Sequence, residues 1–324
     1  MQALWMVAGA LAFALMGAVI KLQMSADYSA FELVFWRGVV GIVLIGAIMR
    51  WRGVPVASEK AGLHASRSIV GTLAMFGWFY TLGLLPLGTS MTLNYSSPLF
   101  IALAVAAIAW WQGGTQPARG KLYLAVLAGF VGVLLIMRPT VEQQQQFALL
   151  VGIVAAAMSA AAYLQVRMLG RLGEPEWRIV FWFSIVNCAM GAIATTATTG
   201  WQPLQAAALP GLAAIGVLAA IGQMCMTRAF SRGGTLLAAS LQYSGVVFAT
   251  LIGWLAFGES LQIGELAGIA LVVASGIGAT LAMPRAPAPV APTVVAPEPG
   301  AGRPPKPTDP AVGMLGAEGA MEPR

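Results

Sequence analysis

Acidic residues are missing from the middle of every long apolar run in this chain. Twelve aspartates and glutamates occur in 324 residues, against eighteen lysines and arginines. Charged residues together make up 9%, where a soluble domain carries about 25%. Histidine occurs once and cysteine twice. Without a cluster of His, Asp and Glu, acid–base or metal catalysis inside a membrane has no groups to work with. No enzyme, metal or cofactor is therefore expected. Cys188 and Cys225 lie inside apolar runs, where thiols behave as small hydrophobes, so no disulfide is expected. His64, close to Arg67, reads as a solvated loop residue.

What is abundant is apolar. Hydrophobic residues make up 58% of the chain and mean hydropathy is +0.79. A signal peptide before a soluble domain gives one apolar run, not a series. The net charge of +6 does not indicate nucleic acid, because the basic residues flank apolar segments at regular intervals. A spanning helix needs about 20 mostly apolar residues. Ten stretches qualify: Ala3–Ile20, Ala30–Met49, Ser66–Leu85, Gly88–Trp110, Tyr123–Met137, Ala148–Gly170, Val180–Thr199, Leu209–Phe230, Thr235–Phe257 and Gly264–Met283. With the N-terminus in the cytoplasm, inner connections and helix ends hold twelve basic residues, among them Arg50, Arg52, Lys60, Arg67, Arg171, Arg178 and Arg232; outer ones hold Lys21 and Arg138. The positive-inside rule selects N-in, C-in. Residues 285–324, rich in Pro and Ala, lack the apolar content to fold and read as a disordered cytoplasmic tail.

Asn94-Tyr95-Ser96-Ser97-Pro98-Leu99-Phe100 returns as Gln242-Tyr243-Ser244-Gly245-Val246-Val247-Phe248. Each copy sets an amide, a phenol and a hydroxyl in an apolar run, then a residue that loosens the helical ladder, Pro98 or Gly245. The halves align at a shift of about 146: Val34-Phe35-Trp36 meets Val180-Phe181-Trp182, and Thr81 meets Thr227. Five spans per copy, an odd number, put the second copy upside down. At about 1.5 Å per residue, Asn94 lies roughly 9 Å from its outer helix end and Gln242 roughly 10 Å from its inner one. Interrupted helices at matching places in inverted repeats point to a transporter's binding site.

These residues resemble the drug/metabolite transporter superfamily, in its ten-helix EamA-type branch. Leu33-Val34-Phe35-Trp36-Arg37, Leu85-Pro86-Leu87-Gly88 into Pro98-Leu99-Phe100, and Phe257-Gly258-Glu259-Ser260-Leu261 into Gly268 carry the likeness, together with the duplication. The resemblance implies an all-α integral membrane fold. It places one five-helix repeat in residues 1–140 and a second, inverted, in 146–284. It also implies a central cavity lined by helices one to four and six to nine. Members move amino acids, nucleotide precursors, vitamins, polyamines and toxic cations, and aromatic amino acid exporters are among them.

Arg37 sits about seven residues into the second span, where an unpaired guanidinium costs roughly 2.5 kcal/mol or more. It binds a substrate carboxylate, or it clamps backbone carbonyls and Glu32. Tyr95 and Tyr243 read as symmetric cavity walls. Trp78, Tyr80 and Tyr163 complete an aromatic set able to stack on a planar solute or hold a cation. Trp78 and Tyr80, two apart, cannot share one helix face. The amides Asn94, Gln242 and Gln223 offer donors and acceptors to a zwitterion. Without a mid-depth carboxylate for a proton relay, transport reads as facilitated or exchange. The expectation is an amino acid exporter of the bacterial inner membrane, with a small-molecule substrate and the lipid bilayer as partners, no nucleic acid, and a monomer or weak dimer. Uptake of an adenine-containing or vitamin-like solute is the alternative; a membrane scaffold or enzyme is the lesser one.

Overall fold

A chain this apolar closes its backbone hydrogen bonds within helices, because the bilayer interior supplies no other partner. The computed structural model describes residues 2–24, 26–84, 93–111, 120–137, 146–258 and 263–281. Among these there is no strand. After a short 3-10 turn (Gln2–Leu4) come α1 (Trp5–Met24), α2 (Ala30–Trp51), α3 (Ala61–Leu84), α4 (Ser97–Trp111), α5 (Gly120–Met137), α6 (Gln146–Arg171) and α7 (Glu176–Ala197). A second 3-10 turn leads into α8 (Leu209–Arg232), α9 (Thr235–Gln242), α10 (Ser244–Phe257) and α11 (Ile263–Leu281). Six helical stretches among the described residues are long and apolar enough to cross a membrane, counting α9 with α10, and shorter apolar helices accompany them. The expected tail, together with Gly88 and Glu259, lies outside the described residues.

One expectation needs correction. The third helix starts at Ala61, a turn earlier than Ser66, so His64 is a helical residue with 0% exposure and not a solvated loop residue. Arg67 is likewise buried, at 2% exposure, and not a flank. The ninth stretch is interrupted, next to the Gly245 that loosens it, at Tyr243, which ends α9 and starts α10. There the Ser244 hydroxyl donates to the Leu241 carbonyl at 2.7 Å, and at the earlier copy Ser96 donates to Leu93 at 2.6 Å. In both copies the serine hydroxyl thus bonds back to the carbonyl three residues earlier, a local bond that competes with the helical ladder.

Helix packing in lipid relies on close approach of small residues. α2 crosses α7 at backbone contact: a methyl group on Gly38 would fall 2.5 Å from the Cys188 nitrogen, and one on Gly191 would fall 2.7 Å from the Phe35 nitrogen. α5 meets α11 in the same way, Gly132 lying on Gly268. α1 packs on α8, α3 on α6, and the broken α9 against α4. The consequence is that α2, α3, α7 and α8 enclose a small polar volume.

Candidate functional site

Arg37 lies seven residues past Ala30 on α2, and Arg67 six residues past Ala61 on α3. At about 1.5 Å per residue, each stands roughly 10 Å along its helix. Both reach Phe183 of α7. The guanidinium carbon is 5.4 Å from the ring centre for Arg37 and 3.8 Å for Arg67. Arg37 donates from Nη1 to the Met75 sulfur at 3.1 Å. Nε and Nη1 of Arg67 are buried with no hydrogen-bond partner among the described residues. Neither arginine has an ion-pair partner among the described residues. Sharing one ring places the guanidiniums at most about 9 Å apart, where like charges repel by about 2 kcal/mol at an effective dielectric of 20. The ring face offsets part of this through cation–π attraction. Glu32, the carboxylate expected to clamp Arg37, is instead buried at the start of α2, where it accepts the Gln202 N–H at 3.4 Å.

Polar groups gather around this pair. The Tyr163 phenol, on α6, is close enough to feel both guanidiniums, and the Gln242 amide reaches it. Tyr163 stacks on Phe230 of α8 at 5.0 Å between centroids, with 8° between planes. Gln242 also donates to Ser97 Oγ at 3.4 Å, tying one helix break to the other. Tyr95 approaches Tyr163 and lies over Gly245. The Thr72 hydroxyl donates to Asn187 Oδ1 at 2.7 Å, both fully buried. Arg37, Phe183, Ser184, Asn187 and Gln223 line a cleft of about 10 Å³, barely a water's worth. The larger cavity, about 380 Å³, lies elsewhere between α1, α9, α10 and α11. Its walls are mostly apolar, with Ser240 and Ser244 as their polar members and no charged group.

Of the residues singled out from the sequence, Arg37, Tyr95, Tyr163, Gln223 and Gln242 thus fall in or beside the polar volume. The other four fall elsewhere. Tyr243 is wholly buried with its ring on Gly129 of α5. Trp78 is half-buried and stacked on Phe79 at 5.1 Å. Tyr80 is exposed and edge-on to Phe147. Asn94 is half-buried beside the α4 break. Arg67, Thr72, Phe183 and Asn187 were not anticipated. One signal was available: the shift of 146 that pairs Phe35-Trp36 with Phe181-Trp182 also pairs Arg37 with Phe183.

Comparison with known proteins identifies the family. The EamA-like transporter family matches residues 1–138 and again residues 146–281. The chain belongs to the EamA-like transporter family. The pseudopaline exporter of Pseudomonas aeruginosa (strain UCBPP-PA14) is 30% identical over 265 residues, covering 82% of this chain and 90% of that protein. A riboflavin transporter of Rhizobium johnstonii is 24% identical over 85% of this chain and 89% of its own length. An S-adenosylmethionine uptake transporter of Rickettsia bellii is 22% identical over 79% and 85%. A crystal structure shares the fold at a TM-score of 0.73 with 18% identity, over 86% of this chain and 96% of that one. As an EamA-like transporter the chain is a multi-pass membrane protein that moves a small molecule, and it is not an enzyme.

At one end of this transporter a polar latch joins four segments. Glu174, in the α6–α7 connection, accepts from Ser58 at 2.5 Å, from Arg178 at 2.8 Å and from His64 at 3.1 Å. His64 stacks on Trp182, whose indole donates to the Val56 carbonyl at 3.2 Å. Glu176 and Arg232 pair at 2.6 Å between α7 and α8. Burial pushes the Glu174 carboxyl up, but the bonds from Ser58, Arg178 and His64 outweigh it and hold the group below the ordinary carboxylate value.

Proposed function

We propose that this chain is a secondary carrier of the bacterial inner membrane that exports amino acids and related small metabolites by alternating access. On this reading ten spans form two inverted five-helix repeats, 1–140 and 146–284, with both ends of the chain in the cytoplasm. The observation that carries it is the convergence of Arg37, Arg67, Tyr163 and Gln242, from four helices, on one buried polar volume. Supporting it, the family matches twice, once in each half. The packing also keeps its form when the halves are exchanged: α1 on α8 corresponds to α6 on α3, and α2 and α7 correspond to each other.

Among the described residues the exchange fails most strongly between α6 and α8, and an asymmetry of this kind is what alternating access requires. α6 packs on α8, with Gly170 against Ser231, while α1 and α3 show no comparable packing among the described residues. On the reading with the N-terminus inside, the closed end, latch included, faces the cytoplasm. Opening it while α1 and α3 close on the other side moves the site from one compartment to the other.

Counterflow in proteoliposomes tests the function. Vesicles preloaded with an unlabelled amino acid should accumulate the labelled one transiently, and Tyr163→Ala should suppress this. No counterflow with any amino acid would remove amino acids from the reading. Riboflavin and S-adenosylmethionine belong in the same panel, since two relatives carry those names.

A further inference from the structure

We infer that Arg37 and Arg67 form the cationic half of a site for a small organic anion carrying two carboxylates. The inference rests on the carrier reading above and narrows its substrate class. A buried cation normally sits with a carboxylate or with carbonyls that satisfy its donors. Arg67 has neither at Nε and Nη1, and Arg37 has a thioether sulfur for its partner. The two charges share the Phe183 ring and repel each other through it. No carboxylate among the described residues pairs with either. Among the described residues, therefore, two positive charges stand without a counter-charge. Around them stand donors suited to carboxylate oxygens: the Tyr163 phenol, the Gln242 amide and the Gln223 amide. A solute with a net positive charge would add a third cation to the same volume. A dicarboxylate neutralises the pair, and guanidinium–carboxylate bonds are among the strongest that proteins make.

The cleft is too small here to hold such a ligand, so α2, α7 and α8 must part to admit it. This fixes a second property. Passing through the closed state empty leaves two unneutralised charges out of water. Passing through it loaded does not. The carrier therefore exchanges one anion for another faster than it returns empty.

The experiment uses purified full-length chain in proteoliposomes, with labelled succinate, L-glutamate, L-tryptophan and putrescine as probes at matched ionic strength. Succinate uptake should rise at least about tenfold when succinate is also inside, tenfold being the factor that 1.4 kcal/mol carries. Tryptophan and putrescine should exchange more slowly than succinate. Arg67→Gln should bring the exchange-to-net ratio toward one, and Arg67→Lys, which keeps the charge, should retain much of it. If Arg67→Gln does not fold, the wild-type ranking decides. Faster exchange of tryptophan or putrescine than of succinate overturns the anion site and leaves the carrier reading standing. Counterflow of no probe, with succinate still raising the melting temperature relative to chloride, leaves the anion site standing and overturns the amino acid export reading. Neither counterflow nor stabilisation overturns both.

Discussion

The Arg67 guanidinium carbon lies 3.8 Å above the centre of the Phe183 ring, and among the described residues no other group takes up its Nε and Nη1 donors. Phe183 is 4% exposed and holds both arginines in place. Phe183→Ala should cost about 3 to 5 kcal/mol, as buried phenylalanine truncations do, and it also removes the ring face both cations use. Phe183→Tyr should cost less, because the ring remains. Melting temperatures in detergent separate the two.

Gly38 sets the approach of α2 to α7. A methyl group there meets the Cys188 backbone at 2.5 Å, and backbone cannot rotate aside. Gly38→Ala should lower folded yield and transport together. Gly17→Ala, where nothing lies within 4 Å of the added carbon, should leave both unchanged. Size-exclusion profiles of the two variants check this.

Much of the fold was legible in the sequence because lipid leaves the backbone few choices. Apolar length, basic flanks and the Phe35-Trp36/Phe181-Trp182 echo need no long-range contact to be seen. The site was legible only in part. Tyr163 and Gln242 stood out as polar groups in apolar runs, and both lie near the arginine pair or the helix breaks. Arg67 did not stand out, because an arginine just ahead of an apolar run looks like a flank. Its burial follows from α3 starting a turn early and from Glu174, distant in sequence, receiving His64. Tyr95 and Tyr243 look equivalent in sequence, yet one lies over Gly245 and the other on Gly129 of α5. Helix rotation, which the pattern alone does not fix, separates them.

The latch should respond to acid with a definite sign. The Glu174 pKa in the closed latch lies below its ordinary 4.5. Its contribution is therefore present above pH 4.5 and is lost as pH falls through the lowered value. In a His64→Gln background, which removes the ring's own titration, Trp182 emission should stay constant from about pH 8 to pH 5 and shift red below that. Glu174→Gln should show the red-shifted emission already at neutral pH. The opposite trend, opening as pH rises, would place the latch charge elsewhere.

Tyr163→Phe keeps the stack on Phe230 and loses only the phenol hydroxyl. Stability should change by no more than about 1.5 kcal/mol, the usual worth of one hydrogen bond. Transport should fall by about tenfold, because a donor aimed at the solute is gone. Equal losses in melting temperature and in transport would make Tyr163 a packing residue.

The most direct measurement is access to the centre of the bundle from each side. Gln223, 5% exposed and on the wall of the arginine cleft, is replaced by cysteine in a Cys188→Ala/Cys225→Ala background. A membrane-impermeant thiol reagent is then applied separately to right-side-out and inside-out vesicles. A carrier whose site faces each compartment in turn should be labelled from both sides, and substrate should protect it. Labelling from neither side, in protein that still folds, would contradict the account.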